Sequence, residues 1–592
     1  MRQQGWRSKR TLATVALSAL LAISAFAQVS AFAQQTSTAG QNTGGHPWWK
    51  GAVLYEVYPR SFQDSNGDGI GDLNGIASRL GYLQSLGVDA IWLSPIYPSP
   101  QVDFGYDISN YEAIDPQYGT MADFDHLMAE AKKHNIRVIM DMVLNHTSDK
   151  HPWFIESRSS KENPKRDWYM WHDPGPNGGP PNNWQSDFGH SAWELDRKTG
   201  QYYYHKFYIQ QPDLNWNNPE VRKAMYDVVR FWVDRGVAGF RLDAITTLFE
   251  DPKLTNEKEI PGKDGKPMIN AYGDVTLAET ETNNLPEVHD VLRELRKVTD
   301  SYQGRQVVLI GETYLSSIAD LRKMYGLHND ELQLPMDMQV GFINRLDVSL
   351  FRRRINEAET ELNGNEPLFV FDNHDNARWD RYGDGVHNKD IGRMLAAILF
   401  ASRDTALMYY GDEIGMVTTP PKTKAEVRDP VGITGWPKNK GRDGERTPMQ
   451  WTAGPNAGFS GAGGKTWLPI PPSYRTINVA AESDESDSIL HWYEELIALK
   501  KSNTALREGD ETMLNTTDAH VLSWLRRAPG GEAVVVACNF TAQPQTIGFD
   551  LKAHGVAGEG VKTLLKTPGG ADPVSLNSVT LPPFGVYIGQ VE

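Results

Sequence analysis

Four groups of reactive side chains stand out along the chain: Asp141 with Asn145 and His146, Arg241 with Asp243, Glu312, and His374 with Asp375. A carboxylate close to an arginine is favoured in its ionised form and can attack an electrophile. A second carboxyl, kept protonated by burial and neighbouring negative charge, can give a proton and later take one back. One such acid alone would mean little, because Asp also caps helices. Asp141 reads as a structural partner of Arg241 or of a strand end.

These residues need elements to bring them together, and the hydrophobic pattern supplies them. Short apolar runs at Ala52–Tyr58, Val88–Leu93, Arg137–Leu144, Val237–Leu242, Val307–Ile310, Gln333–Met336, Leu368–Phe371 and Ala406–Tyr409 read as strands. Helix-like segments such as Leu73–Leu86, Asp123–His134 and Val221–Asp234 lie between them. Repeated β-then-α units predict a parallel sheet, and eight of them suit a closed barrel, although periodicity alone does not separate a barrel from an open doubly wound sheet. Each reactive group follows one of these strands, and in a barrel those ends share one face. Thr147–Pro212, rich in Trp, Pro, Gly and Asn, reads as a loop-rich insertion after the third strand. A second Gly/Pro-rich excursion covers Thr418–Ala462. Beyond about Leu514 strands follow one another without helices, which predicts a separate antiparallel β domain. The division expected is 47–146 with 213–510 for the barrel, 147–212 for the insertion and 511–592 for the β domain.

The 592 residues carry a formal net charge of −16, which argues against a nucleic-acid partner, because phosphate binding needs a basic face. Residues 1–33 combine a basic start (Arg2, Arg7, Lys9, Arg10), an apolar run and Ala31-Phe32-Ala33, the layout of a secretory signal cleaved after Ala33 or Ala27. An uncleaved membrane anchor is the alternative. Residues 34–46 read as a disordered leader. The expectation is export to a bacterial periplasm or beyond, with no membrane attachment once the signal is cut, as a monomer or dimer. The one cysteine, Cys538, rules out an intrachain disulfide. Stability must then come from core size and from a metal if one binds.

The segments DMVLNH (Asp141–His146), GFRLDA (Gly239–Ala244), GET (Gly311–Thr313) and FDNHD (Phe371–Asp375) resemble, in order, the four signature regions of glycoside hydrolase family 13, the α-amylase family. The likeness runs from about Trp48 to the C-terminus and is weakest after Leu514. It implies an α/β fold: a (β/α)8 TIM barrel with the insertion after strand 3 and a C-terminal antiparallel β-sandwich. It further implies Asp243 as nucleophile, Glu312 as general acid/base and Asp375 as the carboxylate that holds glucose hydroxyls. Arg241 would keep Asp243 ionised. His146 and His374 would bond sugar hydroxyls, and Asp103 and Tyr106 would contact a terminal glucose. Retention of configuration also rests on this resemblance, because the carboxyl separation that decides it is not in the sequence.

Asp64-x-Asn66-x-Asp68-Gly69-Ile70-x-Asp72 places oxygen ligands at alternate positions with a glycine at the sixth, like the first part of a Ca²⁺ loop. Gly75 stands where an EF-hand has its bidentate Glu, so this is not an EF-hand. The loop resembles the Ca²⁺ site of the oligo-1,6-glucosidase and maltase branch. A structural Ca²⁺ is expected, with Mg²⁺ or a metal-free turn as alternatives, and no organic cofactor.

QPDLN (Gln211–Asn215), PNNWQSDFGHSAW (Pro181–Trp193) and RTPMQW (Arg446–Trp451) resemble the same branch, in which Arg446 would help form the sugar-binding mouth. Ala244 resembles maltases that prefer α-1,4 bonds. Phe104, Asn110 and Thr452 depart from the pattern and bear on the acceptor side. The expected activity is a retaining α-glucosidase that removes a terminal α-linked glucose from small sugars. The alternative is a transglucosylase or isomerase with the same chemistry, forming products such as trehalose or isomaltulose. A non-catalytic sugar-binding protein is a third reading, disfavoured by the presence of all three carboxylates. Trp153, Trp168, Trp171 and Trp184 have faces that suit sugars, but each reads better as a core or loop anchor.

Overall fold

A computed structural model describes residues 46–592 apart from residue 559. The expected signal peptide and nearly all of the expected leader lie outside the described residues. Trp49–Glu592 forms one compact unit.

Eight parallel strands build the centre: Val53–Val57, Ala90–Leu93, Arg137–Val143, Gly239–Asp243, Val308–Gly311, Leu334–Asp337, Leu368–Phe369 and Ala406–Tyr409. They pair in chain order, and the eighth pairs with the first through Val53 opposite Ala406. No ladder joins the seventh to the eighth among the described residues. One backbone hydrogen bond, from Thr405 N to Pro367 O at 3.3 Å, spans that seam. The result is a nearly closed (β/α)8 barrel. Its strands are short, and all of the first, VLYEV, is buried, as a strand covered on both faces requires. Gly239 begins the fourth strand because a Cβ there would lie 2.6 Å from the carbonyl oxygen of Val308 on the next strand. Only a residue without a side chain lets the two backbones approach so closely.

The helices follow local rules. Met121–Lys133 starts at a reciprocal capping box between Thr120 and Asp123 and buries Phe124, Leu127 and Ala131, one face of its turns. Pro219–Asp234 carries Pro at its first position, and the Asn218 side chain accepts from Glu220 N. Leu73–Leu86, expected as one helix, breaks at Arg79 into Leu73–Ser78 and Leu80–Leu86.

Segment 147–212 holds a three-stranded antiparallel sheet of Trp171–His172, Gln201–Tyr204 and Trp193–Asp196. Its tryptophans anchor the segment. Trp184 is buried and stacks on Trp193 at 5.9 Å, and Trp153 meets Trp168 edge-on at 4.9 Å.

At the C-terminus, Asp510–Leu514, Val521–Arg527, Ala533–Asn539, Val586–Val591 and Val561–Lys566 form a five-stranded antiparallel sheet in that order. A second sheet pairs Gln545–Ile547 with Val579–Leu581. The central strands are buried on both faces. Leu522, Trp524, Val534, Val536 and Cys538 join the barrel's core, whereas Val521, Leu525, Val535 and Ala537 pack toward the second sheet. VTLPPFGVYIG, which reads as one strand in sequence, is two, parted by the prolines and by Phe584 at φ +49°.

Among the described residues no helix is long and apolar enough to cross a membrane.

Candidate active site

Strands three, four and five deliver Asp141, Arg241 with Asp243, and Glu312 to one end of the barrel. The register sets Asp141 beside Arg241 and Val143 beside Asp243. Arg241 is fully buried and organises the group. Its Nη1 donates to both Asp141 oxygens at 3.0 Å and to Asp243 Oδ1 at 2.7 Å. Its Nη2 contacts Glu312 Oε1. One guanidinium therefore grips nucleophile and acid candidates together. That favours the short carboxyl spacing of retaining enzymes, about 5–5.5 Å, over the roughly 6.5–9.5 Å of inverting ones.

Burial sets the protonation. Desolvation pushes the Asp243 carboxyl up to about 7, against the pull of Arg241 and with help from Asp141 and Asp375. The Glu312 carboxyl is pushed up to about 8 by burial, again opposed by Arg241 and assisted by Asp243 and Asp375. Each carboxyl lies in the other's field, and burial raises both together. Ala244 N donates to Glu312 Oε2 at 2.8 Å and fixes that side chain. Ala244 itself has φ +46°, so the chain turns sharply after Asp243.

Asp375 is the anion of the site. Burial would raise its carboxyl, but His374, Arg442, Arg446 and Arg241 hold it well below the usual range. Arg442 Nη1 and Arg446 Nη2 donate to Asp375 Oδ1 at 2.8 and 2.7 Å. His374 Nε2 lies 3.3 Å from the other oxygen. The His374 ring is stacked between Tyr106 (5.4 Å) and Tyr58 (5.7 Å). Desolvation holds the buried imidazole well below its usual pKa. His146, also buried, is pushed down to about 3 and is neutral, with Nε2 3.1 Å from Gln211 Nε2. Tyr106 donates to Asp141 Oδ2 at 3.1 Å.

All the proposed chemical and sugar-binding residues thus converge on this end of the barrel: Asp103, Tyr106, His146, Arg241, Asp243, Glu312, His374, Asp375 and Arg446. Arg446 differs in its placement. Expected at the mouth, it is fully buried, bonded to His374 O at 2.7 Å and tucked behind Asp375. The more exposed position belongs to Arg442, which sequence reasoning missed. Its Nη2 reaches Asp103 Oδ1 at 2.7 Å and Asp429 Oδ1 at 2.9 Å. The only hint was a second arginine four residues before Arg446. Asp429 carried no signal at all. Gln211, noted only within its motif, donates to Asp103 Oδ2 at 3.2 Å and links that residue to His146.

The Asp64–Asp72 loop belongs elsewhere: Asp64 N bonds to Phe459 O, and Gly69 sits against the Lys465 carbonyl. Consecutive Asx turns shape it. Asp64 accepts from Asn66, Gly67 and Gly69 N, Asn66 from Asp68 N, and Asp68 from Ile70 N. Among the described residues no three His, Cys, Asp or Glu form a metal-binding group on their own. A cation here would therefore need the Asn66 amide and the Ile70 carbonyl beside the carboxylates, an all-oxygen donor set of the hard kind that Ca²⁺ takes. Of the departures from the family pattern, Phe104 packs edge-on against Trp467 at 5.2 Å under the Arg60 guanidinium, and Asn110 accepts from Glu112 N.

Comparison with known proteins agrees with this geometry. The family model for the α-amylase catalytic domain matches residues 56–509. A probable α-glucosidase of Rhizobium meliloti (strain 1021) is 40% identical over 88% of this chain and 95% of its own. The crystal structure of an α-glucosyl transfer enzyme, XgtA, superposes with a TM-score of 0.83 at 38% identity, covering 92% of this chain and all of that one. The trehalulose synthase MutB from Pseudomonas mesoacidophila MX-45 gives 0.82 at 35% identity over 93% and 100%. Signature residues, barrel and matched domain agree, and the chain belongs to the α-amylase family of glycoside hydrolases, as an enzyme of retaining α-glucoside chemistry.

Proposed function

We propose that the protein is an α-glucosyl-transferring enzyme: it takes the terminal glucosyl group of a small α-glucoside and passes it to a sugar hydroxyl, with water as a competing acceptor. Glu312, protonated, gives its proton to the glycosidic oxygen while Asp243 attacks the anomeric carbon and forms a glucosyl ester. Glu312, now a carboxylate, takes the proton of the incoming hydroxyl as the ester breaks and the anomeric configuration is restored. Asp375, His374 and His146 hold the sugar's hydroxyls, and Asp103 with Arg442 bounds it.

The observation that carries this reading is the grip of one buried guanidinium on both Asp243 and Glu312. Transfer is favoured over hydrolysis by the likeness to an α-glucosyl transfer enzyme and to a trehalulose synthase. It is also favoured by the site's rim. Tyr314, two residues after Glu312 and bonded to Asn376 at 3.0 Å, stacks on Phe342 at 5.9 Å. Both rings are exposed, at 39% and 50%, and offer an apolar face to an acceptor. Hydrolysis with an α-1,4 preference is the second reading, supported by the likeness to a probable α-glucosidase and by Ala244. We further propose a structural Ca²⁺ held by Asp64, Asn66, Asp68, the Ile70 carbonyl and Asp72, and export to the periplasm or medium.

The test is product analysis by NMR from the first turnovers on maltose, isomaltose and sucrose. Transfer predicts new α-linked di- or trisaccharides, with free glucose well short of substrate consumed. Release of two glucose molecules per maltose or isomaltose, and one per sucrose, would leave the hydrolase reading, and no turnover would remove both.

A further inference from the structure

Glu56, on the first barrel strand, is a buried acid that the chemistry above does not use. Its Oε1 lies 2.6 Å from His374 Nδ1, and neither residue is exposed to solvent. Its Oε2 is buried and makes no hydrogen bond. The direction of the neighbouring hydrogen bonds then fixes where the protons sit.

Tyr106 has one phenolic proton. Asp141, paired through both oxygens with Arg241, is an acceptor only, so the 3.1 Å contact from Tyr106 to Asp141 uses that proton. At its 2.6 Å contact with His374 Nε2 the phenol must therefore accept. Asp375, 3.3 Å from the same nitrogen, places its negative charge beside that edge of the ring. A phenol oxygen that accepts at Nε2, with a carboxylate charge close by, requires a proton there. Nδ1 of a neutral ring is then bare, and its short contact with Glu56 needs a donor from the glutamate side. A carboxylic acid supplies one, and it also leaves Oε2 without the charge that an unsolvated carboxylate would carry.

We propose that Glu56 is a positioning residue that stays protonated at neutral pH, donates to His374 Nδ1, and so locks the imidazole as the neutral Nε2–H tautomer facing Asp375 and the sugar. The charged groups that face the pair are Arg241, Asp375 and Asp141 around Glu56, and Arg446, Arg241 and Arg442 around His374. Tyr58, Tyr106, Trp92 and Tyr409 also pack around the pair. Burial, opposed by Arg241 and assisted by Asp375 and Asp141, raises the Glu56 carboxyl well above the usual range, in the same direction. The benefit to turnover rests on the functional reading given above; the position of the protons does not.

The experiment has two arms. In the first, ¹⁵N NMR of histidine-labelled wild-type enzyme, with His374 assigned through its loss in His374→Asn, reads the two ring nitrogens between pH 6 and 8. The expected result is a protonated Nε2 and a bare Nδ1 throughout. A proton on Nδ1, in the neutral ring or an imidazolium, would overturn the proposal whether or not the enzyme transfers glucose. In the second arm, Glu56→Leu lowers kcat by about a hundredfold through a mis-set ring. Glu56→Gln, whose amide can donate to Nδ1, recovers most of that loss. Folded Glu56→Gln protein as inactive as Glu56→Leu would also overturn it. If Glu56→Leu fails to fold, the first arm still decides.

Discussion

Arg241 holds two carboxyls whose pKa values are both raised, and this dictates the pH profile. Activity needs Asp243 ionised and Glu312 protonated. Raising the pH through about 7 charges the nucleophile and increases kcat/KM, and raising it through about 8 strips the acid and lowers it. A narrow bell with limbs near those values is expected in initial rates on maltose, and Glu312→Gln should cut turnover by several orders of magnitude while binding persists. Arg442 is the second residue with a sharp prediction. Replacing it with Ala leaves Asp429, Asp103 and Asp375 without their shared cation. A fall in kcat/KM of about 10²–10³-fold is expected, the scale of losing one preorganised charge contact in a dry site. Lys should restore little, because a single ammonium cannot span three carboxylates as the planar fork does. The chemical residues were legible in the sequence because each stands beside a strand end in a recognisable string. Arg442 and Asp429 were not, because they lie in an excursion whose path across the barrel no local pattern encodes.

Secondary elements show the same division. The eight barrel strands were readable because short runs dominated by apolar residues, repeated between helical segments, have few other uses. The break at Arg79 and the split at Phe584 were not, since both depend on local backbone geometry within segments that look continuous. Asp510–Leu514 and Val561–Lys566 escaped notice because their charged and polar residues hide a two-residue period. Between elements, Lys206 is the informative contact. It is 1% exposed and pairs with Asp187 at 2.9 Å and Glu279 at 3.1 Å, joining segment 147–212 to the loop after the fourth strand. Burial opposes its charge, but those two carboxylates raise its pKa, so it stays an ammonium. Lys206→Met strands the acids. Because both are partly exposed, the loss should fall at the low end of the buried-pair range, about 3 kcal/mol, visible as a lower Tm. The Asp64–Asp72 loop offers an independent check: if it holds Ca²⁺, chelation lowers Tm and added Ca²⁺ restores it, while kcat per folded molecule is unchanged.

On the scale of the whole molecule, the C-terminal sheet is fastened to the barrel by buried polar contacts as well as by shared core. Arg526 donates to Ala401 O at 2.8 Å and Gly509 O at 2.9 Å, Trp524 donates to Ala401 O at 3.0 Å, and Arg352 reaches Val521 O at 2.7 Å. Parts that bury each other's apolar faces should lose stability together. One calorimetric transition is expected for the compact unit, and Arg526→Met should move it down as a whole. Two resolved transitions would show that the sheet folds by itself.

Cys538 sits with no solvent exposure on the strand that lies between the barrel and the second sheet. Burial raises its thiol, so it is inert as well as hidden. As the chain has no other cysteine, a thiol-reactive dye has one target, reachable only when the middle of the molecule comes apart. The rate of dye uptake therefore clocks that opening, residue by name, without any introduced label.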